Sequence, residues 1–327
     1  MTPLLPPRIE NDAGEPRRVG IELEMNGLTL DQLARCVADE LDLDIEDRGR
    51  YERVLTGDPA GDWGVELDFD LLKRLGREER DKGTLSGDLG DSAEDMLKWL
   101  AETVVPLELV SPPLPMNRLA QAEDLIDRIR SAGAKGTSDR WINAFGMQFN
   151  PEVPSEEADS ITAYLKAFVC LYDWLLARAN IDFSRQVTPY IDAYPNRYNA
   201  LLVADDYWPT QDQLIDDYLK DNPTRNRALD MLPLFAHLDR ERVREKVDDT
   251  LVKARPTFHY RLPNCEIHRP DWGLSLAWND WVQVERLAAD PSRLEACCRA
   301  YQKFLSNPLE RWFGDWQKQV EAKWIDR

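Results

Sequence analysis

Along the first half of the chain, apolar and polar residues alternate in short runs. Arg17–Met25 (RRVGIELEM), Trp63–Phe69 (WGVELDF), Leu107–Val110 (LELV) and Phe145–Asn150 (FGMQFN) place apolar side chains on every second residue. That two-residue period predicts strands with one buried face. Helical spacing separates them. It predicts helices over Leu30–Leu41 behind Thr29 as N-cap, over Ala93–Val104 behind Ser92, and over Arg118–Ser131 after the stop SPPLP. Two acidic, glycine-bearing loops follow from Thr56–Asp62 and Asp81–Asp91.

The second half reads as helical. Glu157–Asn180 is apolar at Ile161, Tyr164, Leu165, Phe168, Leu171 and Leu175, which form one helix face. Further helices are predicted over Gln211–Lys220, Arg240–Val252 (N-cap Asp239), Trp278–Ala289, Pro291–Leu305 and Leu309–Trp324. One strand interrupts them, Thr257–Leu262 (TFHYRL). A late strand that rejoins an early sheet implies an α+β fold, an antiparallel sheet with helices packed on one face. Residues 17–327 read as one domain, and residues 1–16 as a flexible polar arm.

Composition narrows the chemistry. The formal charge of −19 repels phosphate backbones and argues against nucleic-acid binding. No apolar run reaches the roughly 20 residues of a bilayer span, and the first residues lack a secretory pattern, so a cytoplasmic enzyme is expected. The five cysteines, Cys36, Cys170, Cys265, Cys297 and Cys298, lack metal-ligand spacing and read as reduced core thiols. With His237, His259 and His268 the only histidines, zinc motifs such as H-E-x-x-H are absent, as are Walker A, G-x-G-x-x-G and G-x-S-x-G. The apolar setting of His237 (LPLFAHL) predicts a core histidine. Chemistry must rest on carboxylates, amides and arginines.

Those residues recur on strand faces. Glu22 and Glu24 share a face, as do Glu66 and Asp68, Gln148 and Asn150, and His259 and Arg261, while Glu108 stands between Leu107 and Leu109. Two readings fit: a solvated outer sheet face, or a cleft of oxygen ligands for hard divalent cations, which share their shell with phosphates.

GIELEM, then LELVSPPL, then G-x-Q-x-N, then a late x-x-R strand, in that order from Arg17 to Val284, resembles the glutamine synthetase and glutamate–cysteine ligase superfamily, and its amidoligase branch in particular. The resemblance implies a glutamine-synthetase-like sheet. It implies metal ligation by Glu22, Glu24 and Glu108, an acidic strand position at Glu66 or Asp68, and Arg261 facing the transferred phosphate. Gln148 and Asn150 fall where the family carries the histidines of H-x-H, and His259 falls where it carries glutamate. All three can still ligate metal or bind nucleotide. In this reading Gln148 and His259 join the metal set and Asn150 the nucleotide set. Arg185, Arg197 and Arg255 are further nucleotide or substrate ligands, because arginine forks suit phosphate and carboxylate. Lys73 reads as a surface lysine.

The implied activity is amide-bond formation from ATP with Mg²⁺ or Mn²⁺, through an acyl phosphate, with Glu66 or Asp68 as proton acceptor. The substrates are a small-molecule or peptide carboxylate and an amine, and the protein is expected as a monomer or small homo-oligomer. A fold that has lost turnover and serves as a binding scaffold, and a carboxylate-based metal hydrolase, are the alternatives.

Overall fold

The computed structural model describes residues 1–67, 106–136, 146–179, 192–307, 309 and 315–326. Asp68, Lys73, Phe145 and Arg185, the loop Asp81–Asp91 and the helix expected at Ala93–Val104 lie outside those residues.

The strands are β1 (Arg18–Met25), β2 (Asp44–Asp47), β3 (Glu52–Thr56), β4 (Trp63–Leu67), β5 (Leu107–Val110), β6 (Leu114–Pro115), β7 (Met147–Pro151), β8 (Leu229–Asp230) and β9 (His259–Tyr260). They form a single open sheet in the order β2-β3-β4-β5-β1-β7-β9-β8, with β6 also paired to β1 and every pairing antiparallel. The fold is α+β. In β1, Val19, Ile21, Leu23 and Met25 are buried, and Gly20, Glu22 and Glu24 on the other face are half-buried. The period-two pattern sets that division.

The described helices are α1 (Leu30–Leu41), α2 (Leu119–Ser131), α3 (Ala158–Arg178), α4 (Asn196–Leu202), α5 (Gln211–Asp221), α6 (Leu232–Leu238), α7 (Arg240–Lys246), α8 (Leu274–Ala288), α9 (Pro291–Ser306) and α10 (Trp316–Lys323). In α1 a capping box forms: Thr29 accepts from Gln32 N and Gln32 accepts from Thr29 N. Helices α3 and α8 cover the apolar side of β7 and β9. Trp278 meets Phe149 edge-on at 5.5 Å, Trp281 lies 5.2 Å from Tyr260, and Tyr164 stacks on Phe258 at 4.9 Å. Helix α3 is long and apolar enough to cross a bilayer, yet 67% of that apolar window is buried, as in a core helix.

The SPP sequence after β5 has a structural reason. Ser111 Oγ accepts from Ile21 N at 2.9 Å and donates to Pro112 O at 2.8 Å. Beyond it, Leu114 and Pro115 rejoin β1 with the register shifted by a residue, a bulge that prolines tolerate because they have no N–H to pair.

Several sequence expectations change. The strand at Thr257–Leu262 is regular only at His259–Tyr260, with an isolated bridge at Thr257. Helix α7 stops at Lys246, because Val247 turns extended, and α8 begins earlier, at Leu274. The hairpin β2–β3, β6, β8, α4 and α6 were not foreseen. His237 is exposed rather than core, with Nε2 3.0 Å from Glu156. The first sixteen residues lie along the domain: Leu4 N donates to Asn279 Oδ1 at 2.7 Å, and Trp278 Nε1 donates to Leu4 O.

Behind the sheet, Arg17 and Glu285 are both fully buried. Arg17 donates to both Glu285 oxygens at 2.8 and 2.9 Å, to Glu152 O at 2.6 and 2.9 Å and to Arg8 O at 2.6 Å. Tyr164 and Trp281 complete the carboxylate at 2.5 and 3.0 Å. Breaking a buried pair leaves a naked charge and costs about 3–5 kcal/mol. Arg17→Met should therefore lower the unfolding free energy by about that much, while Arg17→Met/Glu285→Met should recover part of the loss. Urea unfolding of wild type and the two variants checks this, and a double variant less stable than Arg17→Met would refute it.

Candidate active site

Cross-strand partners share a face, so register shows which polar residues meet. Glu52 pairs with Glu66, Glu66 with Glu108, and Glu108 with Glu24. Four glutamates thus run in one line across β3, β4, β5 and β1. Strand spacing makes that line roughly 14 Å long. Glu108 and Glu24 are half-buried and Glu66 is exposed. Glu24 Oε2 also accepts from Gly146 N at 2.8 Å.

A second group lies beside it. Glu22 pairs with Gln148 and Gly20 with Asn150, and His259 pairs with Asp230. The Phe149–Tyr260 pairing puts Asn150 next to His259. Hydrogen bonds join these side chains into a relay: Asn150 Nδ2 donates to Glu22 Oε1 at 2.7 Å, and Gln148 Nε2 donates to Asn150 Oδ1 at 2.6 Å. The same Gln148 nitrogen lies 3.0 Å from His259 Nδ1. With Gln148 as donor, Nδ1 accepts and the imidazole hydrogen sits on Nε2. His259 then offers a donor at Nε2 rather than a metal-binding lone pair, and Gln148 retains only its carbonyl oxygen for a ligand. Burial, with Arg261, Arg255 and Arg225 nearby, holds His259 well below its usual pKa and therefore neutral.

Asp230, which sequence reading missed, joins this candidate group. It is buried on β8 beside His259, with Oδ1 accepting from Leu232 N at 2.9 Å. Burial pushes its carboxyl up to about 6, although Arg261 and Arg225 pull it down. Its Oδ2 and the His259 Nε2 have no hydrogen-bonding partner among the described residues. Only the aspartate's place beside a histidine-bearing strand could have revealed it, and the apolar run LDMLPLF hides that.

The structure brings Glu22, Glu24, Glu66, Glu108, Gln148, Asn150 and His259 to one face. Arg261 N pairs with Ala228 O on the β8 side, and its side chain reaches Arg225 O at 3.4 Å. Arg255 is exposed just before β9. Arg197 stands apart on α4 as an ion-pair partner of Asp221. Glu266 pairs with Arg269 at 3.1 Å. Those last residues border a pocket of about 290 Å³ on the helix side of β9, where Asp280 meets Arg178 at 3.2 Å.

The arrangement is polarised. One end of the face carries carboxylates and the other carries arginines around a neutral histidine. Among the described residues no three acidic, histidine or cysteine side chains converge into a closed metal cage. Paired carboxylates one strand apart remain suitable for a cation that completes its shell from water or phosphate oxygens.

An open antiparallel sheet, helices on one side and this polar set on the other, defines an α+β protein. The chain belongs to the amidoligase family: residues 15–283 match the family described as "Putative amidoligase enzyme", so it is a ligase of the amide-forming class. No curated protein matches the chain.

A carboxyl raised to about 6 from an ordinary 3.8 binds its proton more tightly in the folded state. Its ionisation therefore leaves stability intact below about pH 4 and removes it as pH rises through about 6. Asp230→Asn should stabilise the protein by about 1–3 kcal/mol near pH 8 and change little near pH 4. Urea unfolding at the two pH values checks this; an equal effect at both would show that ionisation is not the cause.

Proposed function

We propose that the protein is an ATP- and Mg²⁺- (or Mn²⁺-) dependent carboxylate–amine ligase whose chemistry takes place on the polar sheet face. The observation that carries this reading is the cross-strand line Glu66–Glu108–Glu24 beside the Glu22–Asn150–Gln148–His259 relay. Family membership supplies the reaction class.

Glu22, Glu24 and Glu108 are the groups suited to hold a divalent ion, which would neutralise phosphate charge when bound. Arg261, with Arg225 and Arg255 close to His259, places positive charge where a γ-phosphoryl group develops negative charge. His259 Nε2–H adds a neutral donor there. The substrate carboxylate oxygen attacks the γ-phosphorus, and the bond to the ADP oxygen breaks. The amine nitrogen then attacks the acyl carbon, phosphate departs, and Glu66 or Asp68 accepts the amine proton. The substrates are a small-molecule or peptide acid and an amine. The free cysteines fit work in the reducing cytoplasm.

Calorimetric titration with a non-hydrolysable ATP analogue tests this. Binding should require Mg²⁺ or Mn²⁺ and weaken at least about tenfold, or about 1.4 kcal/mol, in Glu22→Ala/Glu24→Ala. Absence of binding with either metal would overturn the ligase reading and leave a chain that keeps the family fold as a binding scaffold.

A further inference from the structure

Away from the sheet face, three thiols and a lysine meet between two helices. Cys170 is in the middle of α3, and Cys297 and Cys298 are adjacent on α9, all buried. The Cys170 and Cys298 sulfurs are 3.8 Å apart. A disulfide needs about 2 Å, so modest side-chain adjustment separates contact from bond. Lys166, one helical turn before Cys170, is itself buried. Its ammonium donates to Ala204 O at 3.0 Å and lies 4.7 Å from the centre of the Trp208 ring. An apolar core has no use for a buried ammonium beside thiols, whereas a thiolate gains from one.

We propose that Cys298 and Cys170 form a peroxide-reactive dithiol that closes a disulfide between α3 and α9. The sulfur of Cys298 as thiolate attacks one oxygen of a hydroperoxide; an S–O bond forms, the O–O bond breaks, and the other oxygen leaves as hydroxide or alkoxide. The Cys170 sulfur then attacks the resulting sulfenic acid; the S–S bond forms, the S–O bond breaks, and water leaves with the thiol proton. Two thiols are oxidised and one peroxide is reduced.

The roles follow from the surroundings. The Cys170 thiol and the nearby Lys166 draw Cys298 down from its usual pKa, against burial, whereas burial pushes Cys170 well up. Cys298 is thus the nucleophile and Cys170 the resolving thiol. Cys298 is 3% exposed, and the charge of the exposed Asp205 reaches it; a water-sized oxidant suits so buried a thiol. Cys297, also within reach of Cys170, is the competing sulfur.

The test treats the folded full-length protein with hydrogen peroxide, then blocks free thiols and maps peptides without reduction. The expected result is a peptide holding Cys170 bridged to the Cys297–Cys298 peptide, with loss of a pair of titratable thiols and a rise in Tm that a reductant reverses. Cys297→Ser should keep the bridge and Cys298→Ser should lose it. In Cys170→Ser, a sulfenic-acid probe should label Cys298. Should the serine variants fail to fold, the wild-type map decides alone. Oxidation confined to half-exposed Cys36, or a bridge that persists in Cys298→Ser, would overturn the proposal.

Discussion

A charge pair sealed from water holds the architecture together. Arg17 precedes β1 by one residue, and its guanidinium ties the N-terminal arm at Arg8, the end of β7 at Glu152 and helix α8 at Glu285, with Tyr164 of α3 closing the carboxylate. Burying two charges costs several kcal/mol and is recovered only when geometry and hydrogen bonding are complete. Here both carboxylate oxygens are used, and the guanidinium spends its donors on two carbonyls besides. That completeness fixes where β1 starts relative to the helices. A one-residue slip of β1 would exchange its faces, sending Glu22 and Glu24 into the core and Ile21 and Leu23 outward. The placement of the polar face therefore rests on a contact on the other side of the sheet.

Given that register, the site is a matter of strand geometry. Neighbouring strands carry glutamates at one level, and two residues along, the amides of Asn150 and Gln148 link Glu22 to His259. The relay gives a physical sense to the Q-x-N pattern of β7. The amides can donate as well as accept, so they fix the tautomer of His259. Positive charge from Arg261 and Arg225 moderates the buried Asp230 beside it. Such a carboxyl is a stability cost that folds tolerate where it serves a site.

Much of this was legible in the sequence. The one-sided alternation of β1, β5 and β7 announced both the sheet and its polar face, because those strands are central and bury one side completely. The hairpin β2–β3 escaped detection because β2, at the sheet edge, is exposed on both faces, so no alternation is imposed on Asp44–Asp47. Strand β8 is two residues long and merges with an apolar helix, which concealed Asp230. His237 misled in the opposite sense: its neighbours are apolar, but it occupies the last turn of α6 and points to Glu156. Local composition reports the average burial of a segment and not the direction of each side chain. Arg197 shows the same limit, since only three dimensions reveal its partner on α5.

The central claim is that one sheet face gathers metal and nucleotide. Crystals grown with Mn²⁺ and a non-hydrolysable ATP analogue, measured at the manganese absorption edge, test it most directly. The expected result is an anomalous peak between the carboxylates of Glu24 and Glu108 or at Glu22, with the γ-phosphate on the same face toward Arg261. Manganese and nucleotide bound elsewhere, with that face free of both, would contradict the account.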